Sequence, residues 1–329
     1  MDHILNRSFV VRFALLTTAL LLATMAPATA KDDPDGMVSE IRDDRIQESS
    51  GLALSMKHDD LVYTINDEGG AGAKVYAVQV STGEVVGATD ISSLPIEDPE
   101  SIAVDAGGTL WLGDLGDNDH QRSDIAIYAF PEPGPGNRTV SGVNRYQVAL
   151  PGGPQDVEGL LVHPQTDRVY LVSKNEDGNG RIFELSDLRA GATTQARDIG
   201  EAPEGVTDAT FTNNGQWALM RTEDDLWIFN PETWEAAGRV ETPQLDQGES
   251  VTVERGDRTV LLGTEGKNSP IVRVALPEAN ASAPIQLDDG DDDDGNSTVA
   301  NSLELAIPLV LLAAAMLVGG IIAQRRLKI

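Results

Sequence analysis

The sequence predicts an all-β chain of repeated four-stranded sheets, and three observations carry that prediction. Five segments share an acidic residue, a small residue and then alternating apolar positions: Glu48-Ser-Ser-Gly51-Leu-Ala-Leu, Glu100-Ser-Ile-Ala-Val, Glu158-Gly-Leu-Leu-Val, Asp208-Ala-Thr-Phe-Thr and Glu249-Ser-Val-Thr-Val. They recur at intervals of roughly 40–60 residues, too long for a solenoid of short repeats and right for one sheet per repeat. Apolar residues alternate with a period of 2, and no segment of the repeat region sustains the 3.6-residue period of a helix.

In each repeat the acidic segment forms the first strand, and a short polar turn leads to a second strand at 61–65, 109–113, 168–173, 216–221 and 259–263. Third strands follow at 74–80, 125–130, 181–185, 226–230 and 271–276, and weaker fourth strands at 84–90, 145–150, 195–199 and 237–241. The fifth repeat stops after its third strand, while Gly36–Arg42 precedes the first repeat without a partner. An N-terminal strand that completes the last sheet closes a ring and leaves no edge open to aggregation. The expected fold is therefore a five-bladed β-propeller. Six blades is the alternative, if a degenerate blade lies within 131–145.

The flanks read differently. Residues 1–30 have the form of a signal peptide: Arg7 and Arg12, an apolar stretch from Phe13 to Ala26, and the small-x-small site Ala28-Thr29-Ala30. The propeller is assigned to 36–278, and residues 279–302, with Asp288, Asp289 and Asp291 to Asp294, form an extended, self-repelling stalk. Residues 303–324 are long and apolar enough for one transmembrane helix, and Arg325, Arg326 and Lys328 in the 325–329 tail place that tail in the cytoplasm. The expected location is a cell membrane, single-pass, with the propeller outside the cytoplasm.

Asp and Glu number 53 against 24 Lys and Arg, a formal net charge of −29. Such a surface repels nucleic acid, which is set aside as a partner. The absence of cysteine excludes thiol catalysis and thiolate metal sites, and four histidines are too few for a His-rich zinc site. Any metal would be a hard ion held by oxygen.

In a propeller the loops between second and third strands emerge on the same face as the connections into each first strand. Here those loops are dense in functional groups, including Asn66, Asp67, Asp114, Lys174, Arg221 and Lys267, whereas the opposite turns are plain polar hairpins. The mouth of the dense face is the expected site. The acids that lead the inner strands, Glu48, Glu100, Glu158 and Glu249, with Glu204 or Asp208 in the fourth blade, ring the channel. They either gather Ca²⁺, with hydroxyls such as Ser101 and Ser250 completing its oxygen shell, or cap strand ends. Lys174, Arg221 and Lys267 stand at matching places, where they either hold an anionic small molecule or pair with Glu176, Glu223 and Glu265.

Glu48-Ser-Ser-Gly51-Leu52 with Thr64-Ile-Asn66-Asp67, and Glu100-Ser-Ile-Ala-Val with Trp111-Leu-Gly-Asp114-Leu-Gly-Asp117-Asn118, resemble a family of exported bacterial β-propellers described as phytase-like or esterase-like. The blade order is similar to that of the five-bladed calcium-activated nucleotidase (apyrase) propeller. That resemblance implies a central Ca²⁺ at Glu48, Glu100, Glu158 and Glu249, and phosphate-contacting cations at Lys174 and Arg221. Two functions follow: a surface-displayed propeller that binds a ligand or protein partner on its acidic face, or a Ca²⁺-dependent extracellular hydrolase of phosphate esters or anhydrides. The oligomeric state stays open.

Overall fold

The computed structural model describes residues 36–277. The signal peptide, stalk, transmembrane helix and basic tail read from the sequence lie outside the described residues. Among the described residues no helix is long and apolar enough to cross a membrane.

These residues form five antiparallel sheets, the blades of a propeller. The first strand, β1 (Gly36–Glu40), makes no ladder with the strands that directly follow it in sequence. Blade 1 is β2 (Ser49–Leu54), β3 (Leu61–Asn66), β4 (Lys74–Gln79) and β5 (Val85–Asp90). Blade 2 is β6 (Pro99–Val104), β7 (Thr109–Asp114), β8 (Ile125–Pro131) and, after the short β9 (Arg138–Thr139), β10 (Asn144–Ala149). Blade 3 is β11 (Val157–Val162), β12 (Val169–Ser173), β13 (Gly180–Leu185) and, after β14 (Thr193–Gln195), β15 (Arg197–Ala202). Blade 4 runs β16 (Val206–Phe211), β17 (Ala218–Thr222), β18 (Asp225–Asn230) and β19 (Glu235–Glu241), and blade 5 runs β20 (Gly248–Val253), β21 (Thr259–Thr264) and β22 (Pro270–Ala275).

The inner strands β2, β6, β11, β16 and β20 each pack on the next, and β20 packs back on β2. The ring is closed. β1 supplies the missing outer strand of blade 5, antiparallel to β22, with Gly36 opposite Arg273 and Glu40 opposite Pro270. Gly83, in the turn between β4 and β5, has φ 72, and a Cβ there would lie 2.0 Å from the Glu40 carbonyl oxygen, so glycine lets blade 1 approach the closing strand. Five apolar clusters lie between neighbouring blades, as expected when each sheet buries both faces against its neighbours.

No sixth blade forms in 131–145. Pro131, Pro133 and Pro135 lack the amide donors a ladder needs, and the segment is a strap whose β9 pairs parallel with β5 at the edge of blade 1. β14 does the same for blade 2, pairing parallel with β10. Trp111, Trp217 and Trp227 pack at the margins of the inter-blade clusters.

Candidate functional site: an acidic mouth above a hydrogen-bonded axis

The recurring acid-small pair has a structural cause. In blades 2, 3, 4 and 5 the inner strand slips register once, between Pro99 and Ser101, Val157 and Gly159, Val206 and Asp208, and Gly248 and Ser250. A bulge leaves one residue outside the ladder and re-aims its side chain. The bulged residues are Glu100, Glu158, Thr207 and Glu249. Asp208 therefore does not stand in for a glutamate of the ring, contrary to the expectation from its place in the fourth repeat. Thr207 holds the glutamate position, and Asp208 stands level with Ser101, Gly159 and Ser250. In blade 1 the slip falls between Ser50 and Ala53, so Glu48 precedes the strand and is exposed.

Glu100, Glu158 and Glu249 share the mouth with Asp67, Asp98 and Asp156, and each is buried or half-buried. The Ser50 hydroxyl donates to Glu100 at both the backbone oxygen (2.7 Å) and Oε2 (3.1 Å). Burial, reinforced by Asp98, pushes the Glu100 carboxyl up to about 8. Burial likewise raises Asp67 to about 7, with Glu48 beside it, and Glu249 to about 7. Glu158 is raised well above the ordinary range, again first by burial and then by Glu100 and Asp156.

The Lys174 ammonium lies 3.5 Å from Glu158 Oε1 and 3.4 Å from Glu176 Oε1. Burial disfavours its charge, but Glu158, Glu249, Glu176 and Asp156 outweigh burial and hold its pKa above the ordinary lysine value. Asp98 and Asp156 went unnoticed in the sequence, although Asp98-Pro-Glu100 and Asp156-Val-Glu158 repeat one Asp-x-Glu pattern. Each precedes a bulged glutamate by two residues. Asp156 Oδ1 accepts the Asp117 amide at 2.8 Å, which fastens the long loop of blade 2 onto blade 3.

Below the mouth the axis is filled by Asp208, which is completely buried. Its Oδ1 accepts from the Ala209 amide (2.8 Å) and the Ser101 hydroxyl (3.1 Å), and its Oδ2 from the Val251 amide (2.9 Å). The Leu52 amide, released from its ladder by the blade 1 slip, is also bound to this carboxylate. Ser101 Oγ in turn accepts the Leu160 amide at 3.1 Å. One carboxylate and one hydroxyl thus link all five blades.

Several predicted ligand groups are spent on structure. Asn66 Oδ1 accepts the Gln47 and Glu48 amides at 3.2 and 3.4 Å. Asp114 Oδ1 accepts the Glu97 and Asp98 amides and the Arg122 guanidinium, which donates at 2.8 Å. Both residues fix the entry into an inner strand. Ser101 serves the axis, and the buried Ser250 hydroxyl lies against the Gly263 backbone and Leu52.

The three cations are not equivalent. The Lys174, Glu265 and Asp67 amides donate to the Asp156, Gln247 and Glu48 carbonyls respectively, so Lys174 matches Glu265 and Asp67. Arg221 lies within β17, paired with Asp208 in the ladder. It is 0% exposed, and its Nη1 donates to the Ser250 carbonyl at 3.3 Å. Burial lowers its pKa to about 10 against the pull of Asp208 and Glu249. Lys267 is exposed in the loop after β21.

A cleft of about 430 Å³ opens beside the mouth between blades 3, 4 and 5. Its walls carry Glu176, Glu204, Glu223, Asp224, Asp225 and Glu249 against the single ammonium of Lys174, and neither Arg221 nor Lys267 lines it. Its electrostatics favour a cation over an anion. The expected Ca²⁺ does not fit its predicted ligands as they stand. Glu48 is exposed at the rim beside Asp67, Ser101 and Ser250 lie beneath the mouth, and Glu158 is engaged by Lys174. Among the described residues no group of three or more His, Asp or Glu side chains is placed to hold a metal ion.

The raised carboxyls set a pH dependence. Their ordinary values are 3.8 and 4.5, and Asp67, Asp208 and Glu249 are raised to about 7 and Glu100 to about 8. Between those limits the folded chain holds protons that the unfolded chain has released, so stability falls as pH rises through this window. The raised lysine acts only above its unfolded value of 10.5. Thermal melting at constant ionic strength should give a higher midpoint at pH 5 than at pH 8, and a flat or rising profile would contradict the burial of these groups.

No family model matches the chain, and no curated protein matches it. Among solved structures, a gluconolactonase from Xanthomonas campestris is similar over 72% of this chain and 89% of its own, at 13% identity and a TM-score of 0.45. A chain of a nidogen/laminin complex is similar over 66% of this chain and 72% of its own, at 17% identity and a TM-score of 0.42. These distant likenesses do not bear on what the chain does, and its five-bladed architecture rests on its own strand pairing.

Proposed function

We propose that this chain is a membrane-anchored, surface-displayed binding propeller that takes a cation-bearing ligand or partner group on its acidic face. The observation that supports this reading is the cleft between blades 3, 4 and 5, where six carboxylates meet one ammonium. Such a wall attracts a polyamine or a lysine-rich segment, and repels the phosphate esters and anhydrides that a hydrolase of this type would need. The separation of Lys174, Arg221 and Lys267 supports the binding reading over the Ca²⁺-dependent hydrolase, which would use such cations to contact phosphate.

The test is binding of spermine and of a lysine-rich peptide to the full-length protein at low salt, with ATP as the anionic control. Affinity for the cations should fall about tenfold in a Glu204→Gln/Glu223→Gln/Asp224→Asn variant and fall again with added salt. Undiminished binding by that variant, or no binding by the wild type, discards the reading. Phosphate release from ATP would restore the hydrolase. Display outside the cell is checked separately, by protease treatment of intact cells, which should remove the propeller and leave the basic tail.

A further inference from the structure

The carboxylate ring of the mouth already contains a cation, and the chain supplies it. Glu158 is 4% exposed, and a carboxylate that deeply buried needs a positive partner. Its partner is the Lys174 ammonium at 3.5 Å, which also reaches Glu176 at 3.4 Å and feels Glu249 and Asp156. The backbone puts it there: the Lys174 amide donates to the Asp156 carbonyl at 3.0 Å, two residues before the bulged Glu158. The corresponding amides of blades 1 and 5 carry Asp67 and Glu265. At this position, then, blade 3 brings a positive charge where blades 1 and 5 bring negative ones and blade 2 brings the apolar Leu115.

We propose that Lys174 is the resident cation of the mouth, a tethered ammonium that takes the place of a divalent ion and makes the ring independent of metal. The ammonium satisfies the charge requirement of Glu158 from inside the chain, so no ion has to be captured for the blades to close. The ammonium stands between Glu158 and Glu176, with the charges of Glu249 and Asp156 acting on it as well, so it occupies the point these carboxylates surround. The same tether means that removing the amine should create a cation site that the wild type lacks. This inference is independent of what the neighbouring cleft binds, since it concerns the protein without ligand.

The test is thermal unfolding of the full-length protein in EDTA and in millimolar Ca²⁺, with no other ligand. Wild type and Lys174→Arg should melt within about 1 °C of each other's EDTA value in both conditions. Lys174→Met should melt on the order of 5 °C lower in EDTA and recover much of that loss in Ca²⁺. If Lys174→Met does not fold in either condition, Lys174→Met/Glu158→Gln, which removes the buried charge with its partner, should fold without Ca²⁺. A wild-type midpoint that rises several degrees with Ca²⁺, a folded Lys174→Met that ignores Ca²⁺, or a double variant that fails to fold would each overturn the proposal.

Discussion

Replacing Asp208 by alanine should cost about 4 kcal/mol or more, the largest effect expected of any single substitution in the propeller. The carboxylate is completely buried, and it accepts from the Ala209 and Val251 amides, the Ser101 hydroxyl and the Leu52 amide. Alanine would leave these donors without an acceptor where the inner strands meet. Each buried unpaired donor costs roughly 1–3 kcal/mol, less where water can enter, and the losses are not additive. Arg221, 0% exposed, would also lose the nearest opposing charge, and a lone buried guanidinium is costly in itself. Asp208→Asn keeps the shape but exchanges one acceptor for a donor, so it should fall between wild type and alanine. Guanidinium unfolding of the full-length protein checks both. An alanine variant within about 1 kcal/mol of wild type would show that the axis is not what binds the blades.

Removal of β1 should be nearly as damaging, through a different cause. Deleting Gly36–Glu40 strips blade 5 of its outer strand and leaves the outer edge of β22 unpaired, while its ladder with β21 remains. It also takes away Val38, which packs on the cluster between blades 5 and 1, and it frees Ile41, which is 1% exposed and donates its amide to the Ser269 carbonyl at 2.8 Å. An unpaired edge of this kind recruits other chains. The deleted protein should elute as dimers or larger species in size-exclusion chromatography. A synthetic peptide spanning Gly36 to Arg42, added in trans, should return it to the wild-type elution volume. A deletion variant that elutes and melts like wild type would mean that the ring holds without its closing strand.

The fold was legible because its signals are local and repeated. An acid, a small residue and a period-2 run mark each inner strand, and the unpaired strand before the first repeat predicts the closure that the β1–β22 ladder makes. The site was legible only in part. Glu100, Glu158 and Glu249 stood out because the same bulge recurs in blades 2, 3 and 5. The mistakes were errors of register. Blade 1 slips nearer its strand centre, so Glu48 precedes the strand and stands exposed at the rim. Blade 4 turns tightly between Thr222 and Asp225, which draws Arg221 into the strand and out of the loop. Neither shift leaves a mark in residue type. Asp208 looked like a degenerate member of the acidic series, and the four donors that define its role come from blades 1, 2, 4 and 5, remote in sequence from one another.

The geometry of the closure has a mechanical consequence. Because β1 and β22 run antiparallel with Gly36 opposite Arg273, both ends of the described domain leave the ring at the same end of one strand pair. A pull applied between them would load the ladder bonds one after another, as in opening a zip, and would not shear them together. The blades are tied together at their axis by Asp208 and Ser101, yet the β1–β22 ladder is a seam that a modest tensile force should open.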